Sequence, residues 1–205
     1  MSIAPKYSEA YLTSNAQLNG VRMSGDAYFE LGESEARYEL VDGVLLMSPS
    51  PTPLHQAVAW ELSMQIGTFL RQNPTLGKAY YELDVVLPAR SGRGDLVYRP
   101  DLIFLNSKKA AQIESRVDVI PDLVVEISSA ATRKLDQQTK RDDYERCGVS
   151  EYWLIDIEAA SSTFLRLTGS GYREQSAKAN AFESSAIPGF VLDLDALKGV
   201  MTSSS

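Results

Sequence analysis

RPDLIFL (residues 99–105), PDLVVEISSA (residues 121–130) and RKLDQQTKRDDYERCG (residues 133–148) are the stretches on which the reading of this chain turns. The first two contain short, nearly continuous apolar runs, Asp101 to Leu105 and Asp122 to Ile127, the pattern of strands covered on both faces. The third has high helix propensity from Arg133 to Cys147 and stops at Gly148. Aspartate is disfavoured in strands, and a buried charge without a partner is costly, so Asp101 and Glu126 call for an explanation. Two carboxylates about 5 Å apart, at an effective dielectric near 20, repel by roughly 3 kcal/mol, and a site holding both ionised wants a cation. Mg²⁺ suits such a site because it prefers oxygen ligands and binds through one or two carboxylates plus substrate phosphate. Asp136, Lys140 and Tyr144 follow at four-residue spacing on one helix face. That face either brings the Lys140 ammonium to the carboxylates or leaves Asp136 and Lys140 as an exposed pair worth a few tenths of a kcal/mol.

Upstream of these stretches, residues 1–24 are polar and without a clear period and are read as an N-terminal arm. Gly25 to Gly32 predicts a short helix capped by Asp26. Apolar runs at Arg37–Val41 and Val44–Ser48 flank Asp42-Gly43, a strong hairpin signal because the turn needs positive backbone angles. After the extended SPSPTP segment, Leu54 to Gln72 predicts a helix with Val58, Leu62, Ile66, Phe69 and Leu70 on its buried face, ended by Asn73-Pro74. Ala79 to Leu87 reads as one strand and PARSGRGDLVYRP (residues 88–100) as a loop.

Downstream, Glu151–Ile157 and Thr163–Leu167 read as pairing strands and residues 168–180 as a loop. Ala186–Leu194 reads as an extended return, Asp195–Val200 as at most one helical turn, and residues 201–205 as a disordered tail. Without a repeat or linker, residues 25–200 are expected to form a single domain: an α/β fold with a mixed sheet, helices on its faces, an N-terminal hairpin and a C-terminal β extension.

Composition narrows the function. The 205 residues, 44% hydrophobic and 23% charged, are ordinary for a globular chain. Cys147 is the only cysteine, which excludes an intramolecular disulfide and cysteine-held zinc, and His55 is the only histidine, which excludes a multi-histidine zinc site. Neither a leader pattern nor an apolar run of about 18 residues is visible, so the expectation is a cytoplasmic protein with no membrane partner. A net charge of -7 argues against non-specific coating of nucleic acid, yet residues 71–110 carry a local net of +3.

Further candidates surround the central carboxylates. Glu82 and Asp84, at like parity on their expected strand, are possible additional ligands, balanced by a plain structural reading. His55, at the start of the long helix, is either a phosphate contact and helper base or a residue satisfied by backbone groups. Arg90, Arg93, Arg99, Arg133 and Lys134 are candidate phosphate contacts, or members of solvated loops. Trp153 is read as core. The GRGD tetrapeptide lacks the spacing and ending of a phosphate loop.

YELVDG, MSPSPTPLHQ, RPDLIFL, PDLVVEISSA and DQQTKRDDYERCGVSEYWLID, in this order and spacing, resemble the Uma2 family of endonucleases (DUF820), within the PD-(D/E)XK restriction-endonuclease-like superfamily. The resemblance spans about residues 25–195. It implies an αβββαβ core and Mg²⁺-dependent hydrolysis of DNA phosphodiester bonds, with Mn²⁺ able to substitute. Pro100-Asp101 matches the PD element and Glu126 the acid that follows; Glu39, in the hairpin, matches a family-pattern acid and is by that resemblance an additional ligand or an acceptor behind the ligands, the alternative being a plain edge-strand glutamate. Asp101, Glu126 and the Ile127 backbone carbonyl are then the implied metal ligands. Ser128 stands where the superfamily has its lysine, and Lys140, on the following helix, takes that place. The alternative is a non-catalytic binding or assembly module on the same scaffold. A homodimer suits cleavage of two strands, as a prior from oligomer frequency.

Overall fold

A computed structural model describes residues 18–32 and 37–202. Chain order begins with α1 (Gly25–Glu30), β1 (Tyr38–Val41), β2 (Val44–Met47), α2 (Pro53–Gln72), β3 (Gly77–Tyr81), β4 (Val85–Leu87), β5 (Leu96–Tyr98), β6 (Leu102–Asn106) and α3 (Ser107–Ala110). It continues with β7 (Leu123–Ser128), a π-helical segment (Leu135–Lys140) running into α4 (Arg141–Cys147), β8 (Glu151–Asp156), β9 (Ser161–Thr168), β10 (Gly171–Gln175), β11 (Ala181–Glu183), β12 (Val191–Asp193) and α5 (Leu194–Thr202). Two compact units result: residues 1–50 with 86–98, and residues 51–85 with 99–205. Among the described residues no helix is long and apolar enough to cross a membrane.

The smaller unit is built on the expected hairpin. Asp42 (φ 52°) and Gly43 (φ 74°) both take positive φ, and β1 and β2 pair antiparallel from Val41↔Val44 to Tyr38↔Met47. Its sheet runs β2-β1-β5-β4 and packs Leu40, Leu45 and Val97 against Tyr28. Helix α1 is capped by Ser24, whose hydroxyl accepts from the Ala27 N–H at 3.2 Å, and not by Asp26, which sits in the first turn where it favours the helix dipole. Leu96–Tyr98, expected within a loop, forms a strand buried at all three residues. Residues 18–24 lie beside β2, with Gly20 N–H donating to Leu45 O and Leu45 N–H to Val21 O; residues 1–17 of the expected arm lie outside the described residues.

The larger unit holds a six-stranded sheet ordered β10-β9-β8-β7-β6-β3, antiparallel except for the parallel β7–β8 pair. With α2 before β3 and the π/α4 helix between β7 and β8, it follows the expected αβββαβ order. Thr52 caps α2 by accepting from the His55 N–H, and Val58, Leu62, Ile66 and Leu70 recur along its buried face. Burying each such side chain contributes about 1.5–3 kcal/mol. They meet Leu102, Phe104, Leu123, Val125, Ile127 and Trp153 of the sheet, with Leu194, Leu197 and Met201 of α5.

Four expectations are corrected here. The strand read over Ala79–Leu87 breaks after Tyr81, because Glu82 takes a positive φ of 49° and sends β3 and β4 into different sheets. Gly171–Gln175, read as loop, pairs with β9 from Gly171↔Thr168 to Gln175↔Phe164 as a polar edge strand. The C-terminal helix is nine residues, longer than one turn, because Leu194, Leu197 and Met201 give it a buried stripe; it includes residues 201 and 202 of the expected tail, and 203–205 lie outside the described residues. The helix read over 133–147 carries a six-residue π segment, Leu135–Lys140.

Glu151, at the start of β8, is fully buried. Its carboxylate accepts from Trp153 Nε1 at 2.7 Å, Ser184 Oγ at 2.9 Å, the N–H groups of Ser185 (2.7 Å) and Ala186 (3.3 Å), and the Ser185 hydroxyl. One side chain thus fastens residues 184–186 to the central sheet.

Candidate functional site

The β6–β7 ladder ends with Leu102↔Val125, so Asp101 stands one register step further, opposite Glu126. There the backbone pairing gives way to a side chain: Asp101 Oδ2 accepts the Ile127 N–H at 2.7 Å. Its other oxygen, Oδ1, lies 3.1 Å from His55 Nε2 in the first turn of α2. The Nε2 of the single histidine therefore meets a carboxylate and not backbone groups. Its Nδ1 is buried with no partner among the described residues.

Glu126 alternates with Val125 and Ile127, which pack toward α2, so its side chain points to the opposite face, that of the π/α4 helix. There Glu126 Oε1 accepts from Lys140 Nζ at 3.0 Å and from Tyr144 OH at 2.8 Å. Lys140 is only 4% exposed and Glu126 likewise, which rejects the exposed-pair reading of this lysine. Lys140 Nζ is also 3.7 Å from Asp136 Oδ1, and Asp136 Oδ2 accepts from Ser128 Oγ at 2.8 Å. Ser128 therefore donates to a carboxylate on the helix that carries the lysine. Behind this group, burial and then the charges of Glu126 and Asp136 push the Tyr152 phenol well above its ordinary range. It stays neutral and donates to the Asp136 carbonyl at 3.0 Å.

The remaining candidates divide. Glu39 is buried on β1 in the smaller unit. Glu82 is exposed in the turn after β3, its N–H donating to Asp101 O at 3.2 Å, and the parity argument that placed it beside Asp84 fails with the strand. Asp84 holds Arg99 through two bonds, 2.7 and 3.0 Å. Arg90 donates to Asp42 at 2.8 Å, with Arg93 3.9 Å from the same carboxylate. Arg133 donates twice to Asp156, at 2.6 and 2.9 Å, and its hydrogen bond holds the Asp156 carboxyl below its ordinary range. Lys134 is exposed. Trp153 is fully buried, as read.

The donor chemistry of this group suits a hard divalent cation. Asp101, Glu126 and Asp136 are three carboxylates against one ammonium, a deficit of positive charge in a mostly buried group, and their oxygens are the ligand type Mg²⁺ takes. Among the described residues no set of three or more His, Cys, Asp and Glu side chains is disposed as a metal cage. Mg²⁺ needs none, since it binds through one or two carboxylates and retains waters.

Sequence reasoning placed Asp136 and Tyr144 on the face of Lys140 without giving either a part in the site. The signal was present in the four-residue spacing. It was silent about the partner, since only β7 and the π turn together put Ser128 under Asp136.

A solved structure described as a "putative nuclease belonging to DUF820" from Anabaena variabilis ATCC 29413 is similar in fold, with a TM-score of 0.72 at 19% identity, over 87% of this chain and 99% of that one. Among curated proteins no match is found. A family profile described as "Uma2: Putative restriction endonuclease" matches residues 26–195, from α1 to the start of α5. A match over that much of the sequence makes the chain a member of the Uma2 family.

Proposed function

We propose that this protein is a divalent-metal-dependent DNA endonuclease, with Asp101, Glu126 and the Ile127 carbonyl as metal ligands and Lys140 as the catalytic lysine. One observation carries the reading: Lys140 reaches Glu126 from the following helix, at 3.0 Å, while Ser128 stands two residues after the acid where the superfamily has its lysine. The family match and the nuclease description of the Anabaena protein support it.

Each residue has a part. The Ile127 N–H orients Asp101, and the Tyr144 hydroxyl orients Glu126. Lys140 keeps a positive charge beside Glu126, where negative charge develops on a transferring phosphate. Mg²⁺, when bound, supplies Lewis-acid stabilisation and a more acidic water.

Purified protein is expected to nick supercoiled plasmid with Mg²⁺ or Mn²⁺, and Asp101→Ala is expected to abolish nicking while melting cooperatively. Cleavage at the wild-type rate by Asp101→Ala rejects the proposal. A second reading, a non-catalytic module, is favoured by the intrachain pairing of Arg90, Arg99 and Arg133, three of the five candidate phosphate contacts. Calorimetry separates the two, because the module reading predicts no heat from millimolar Mn²⁺.

A further inference from the structure

Lysine carries roughly 2 kcal/mol of side-chain entropy on a flexible stem, so an ammonium brought from a helix to a strand carboxylate needs more than one anchor to hold its aim. Asp136 is placed to be that anchor. It is 2% exposed, its Oδ1 lies 3.7 Å from Lys140 Nζ, and its Oδ2 is held by Ser128 Oγ at 2.8 Å. Its carbonyl is held as well, by the Arg141 N–H in the i→i+5 bond of the π turn and by the Tyr152 hydroxyl.

The π geometry explains how the residues align. In an α-helix residues four apart overshoot a full turn by about 40°, so two such steps, from 136 to 140 to 144, drift by about 80°. A turn closed by i→i+5 bonds holds more residues, and a four-residue step within it falls short of a full turn. The shortfall from Asp136 to Lys140 offsets the overshoot from Lys140 to Tyr144, and all three side chains face the Glu126 and Ser128 side of β7. Mid-helix π turns are frequent at functional sites.

We propose that Asp136, braced by Ser128 and the π turn, is the positioning residue that aims the Lys140 ammonium at Glu126 and at a bound phosphate. Ser128 then has a reason to be a serine: it donates to the acid that holds the relocated lysine. The inference rests on the reading of Lys140 as the catalytic lysine.

Asp136→Asn, which keeps the shape and removes the charge, is the test, with three readouts on the full chain. Competitive amine labelling followed by mass spectrometry is expected to show Lys140 protected in the wild type and labelled several-fold faster in the variant, with Lys109 unchanged as an internal reference. Calorimetry with Mn²⁺ alone is expected to give wild-type affinity. Plasmid nicking is expected to show kcat reduced about 10–100-fold with KM little changed. Unchanged labelling of Lys140, or an unchanged kcat, overturns the positioning role; lost Mn²⁺ binding overturns it in favour of Asp136 as a ligand. If the wild type itself does not nick DNA, the nuclease reading falls while the labelling still decides whether Asp136 holds Lys140. Should Asp136→Asn not fold, Ser128→Ala carries the same readouts, with a smaller shift in the same direction.

Discussion

Replacing Lys140 with methionine, which keeps most of the apolar stem and removes the charge, tests whether the buried network is a unit of stability. At an effective dielectric of 20, the 3.0 Å contact with Glu126 is a gross attraction of about 5 kcal/mol. Desolvation of both ions offsets most of it, and the net loss on removing one partner of a buried pair is about 3–5 kcal/mol. Glu126 retains the Tyr144 hydroxyl and Asp136 the Ser128 hydroxyl, which places the expected loss near the lower end, at about 3 kcal/mol. In urea, with a slope of about 2 kcal/mol/M, the unfolding midpoint should fall by about 1.5 M. Combining Lys140→Met with Glu126→Gln should recover about 2 kcal/mol relative to the sum of the single variants, since contacting residues couple. A loss below about 0.5 kcal/mol for Lys140→Met, the range of a solvated surface pair, would refute the reasoning.

Tyr144→Phe removes a donor on Glu126 Oε1 and should cost about 1–3 kcal/mol by urea denaturation, with no loss meaning that Glu126 is satisfied without it. Gly77→Ala should be severely destabilising, by about 3–5 kcal/mol in thermal melts, because an added Cβ lies 2.0 Å from Leu105 O across the β3–β6 pair; a loss under about 1 kcal/mol contradicts that packing. The Asp156 carboxyl is lowered, chiefly by the Arg133 hydrogen bond, so its contribution is present above the ordinary aspartate range and is lost as pH falls through the depressed folded value. Arg133→Gln should therefore flatten the urea midpoint against pH below about pH 4, and identical acid limbs in both proteins would exclude this pair as a source of acid sensitivity.

The elements legible in the sequence are those whose local signal agrees with their tertiary surroundings. Asp42-Gly43 announces its hairpin because few other residues tolerate both turn angles, and the 3.6-residue period of α2 survives because one face meets the sheet along its whole length. Leu96–Tyr98 was hidden because three apolar residues sit among glycines, arginines and a proline. The break at Glu82 has no local signal at all, since glutamate does not favour positive φ and the turn is imposed by chain geometry on either side. At the site, Asp101, Glu126 and Lys140 stood out as charges in or near apolar runs. The contact between His55 and Asp101 did not, because it joins residues 46 positions apart through the way α2 lies at the end of β6.

Glu151 carries a consequence for the order of events during synthesis. Strands β3 and β6 to β9 have all been made before Ser184 leaves the ribosome, and they can pair as they emerge. The carboxylate at the head of β8 then has Trp153 Nε1 as a donor and the Arg166 guanidinium 4.0 Å away, and water meets its remaining hydrogen-bonding capacity. Its other four donors arrive 33 to 35 residues later. Residues 184–186, made late, thus replace water around a carboxylate on a strand already in place, and their docking completes its hydrogen bonding.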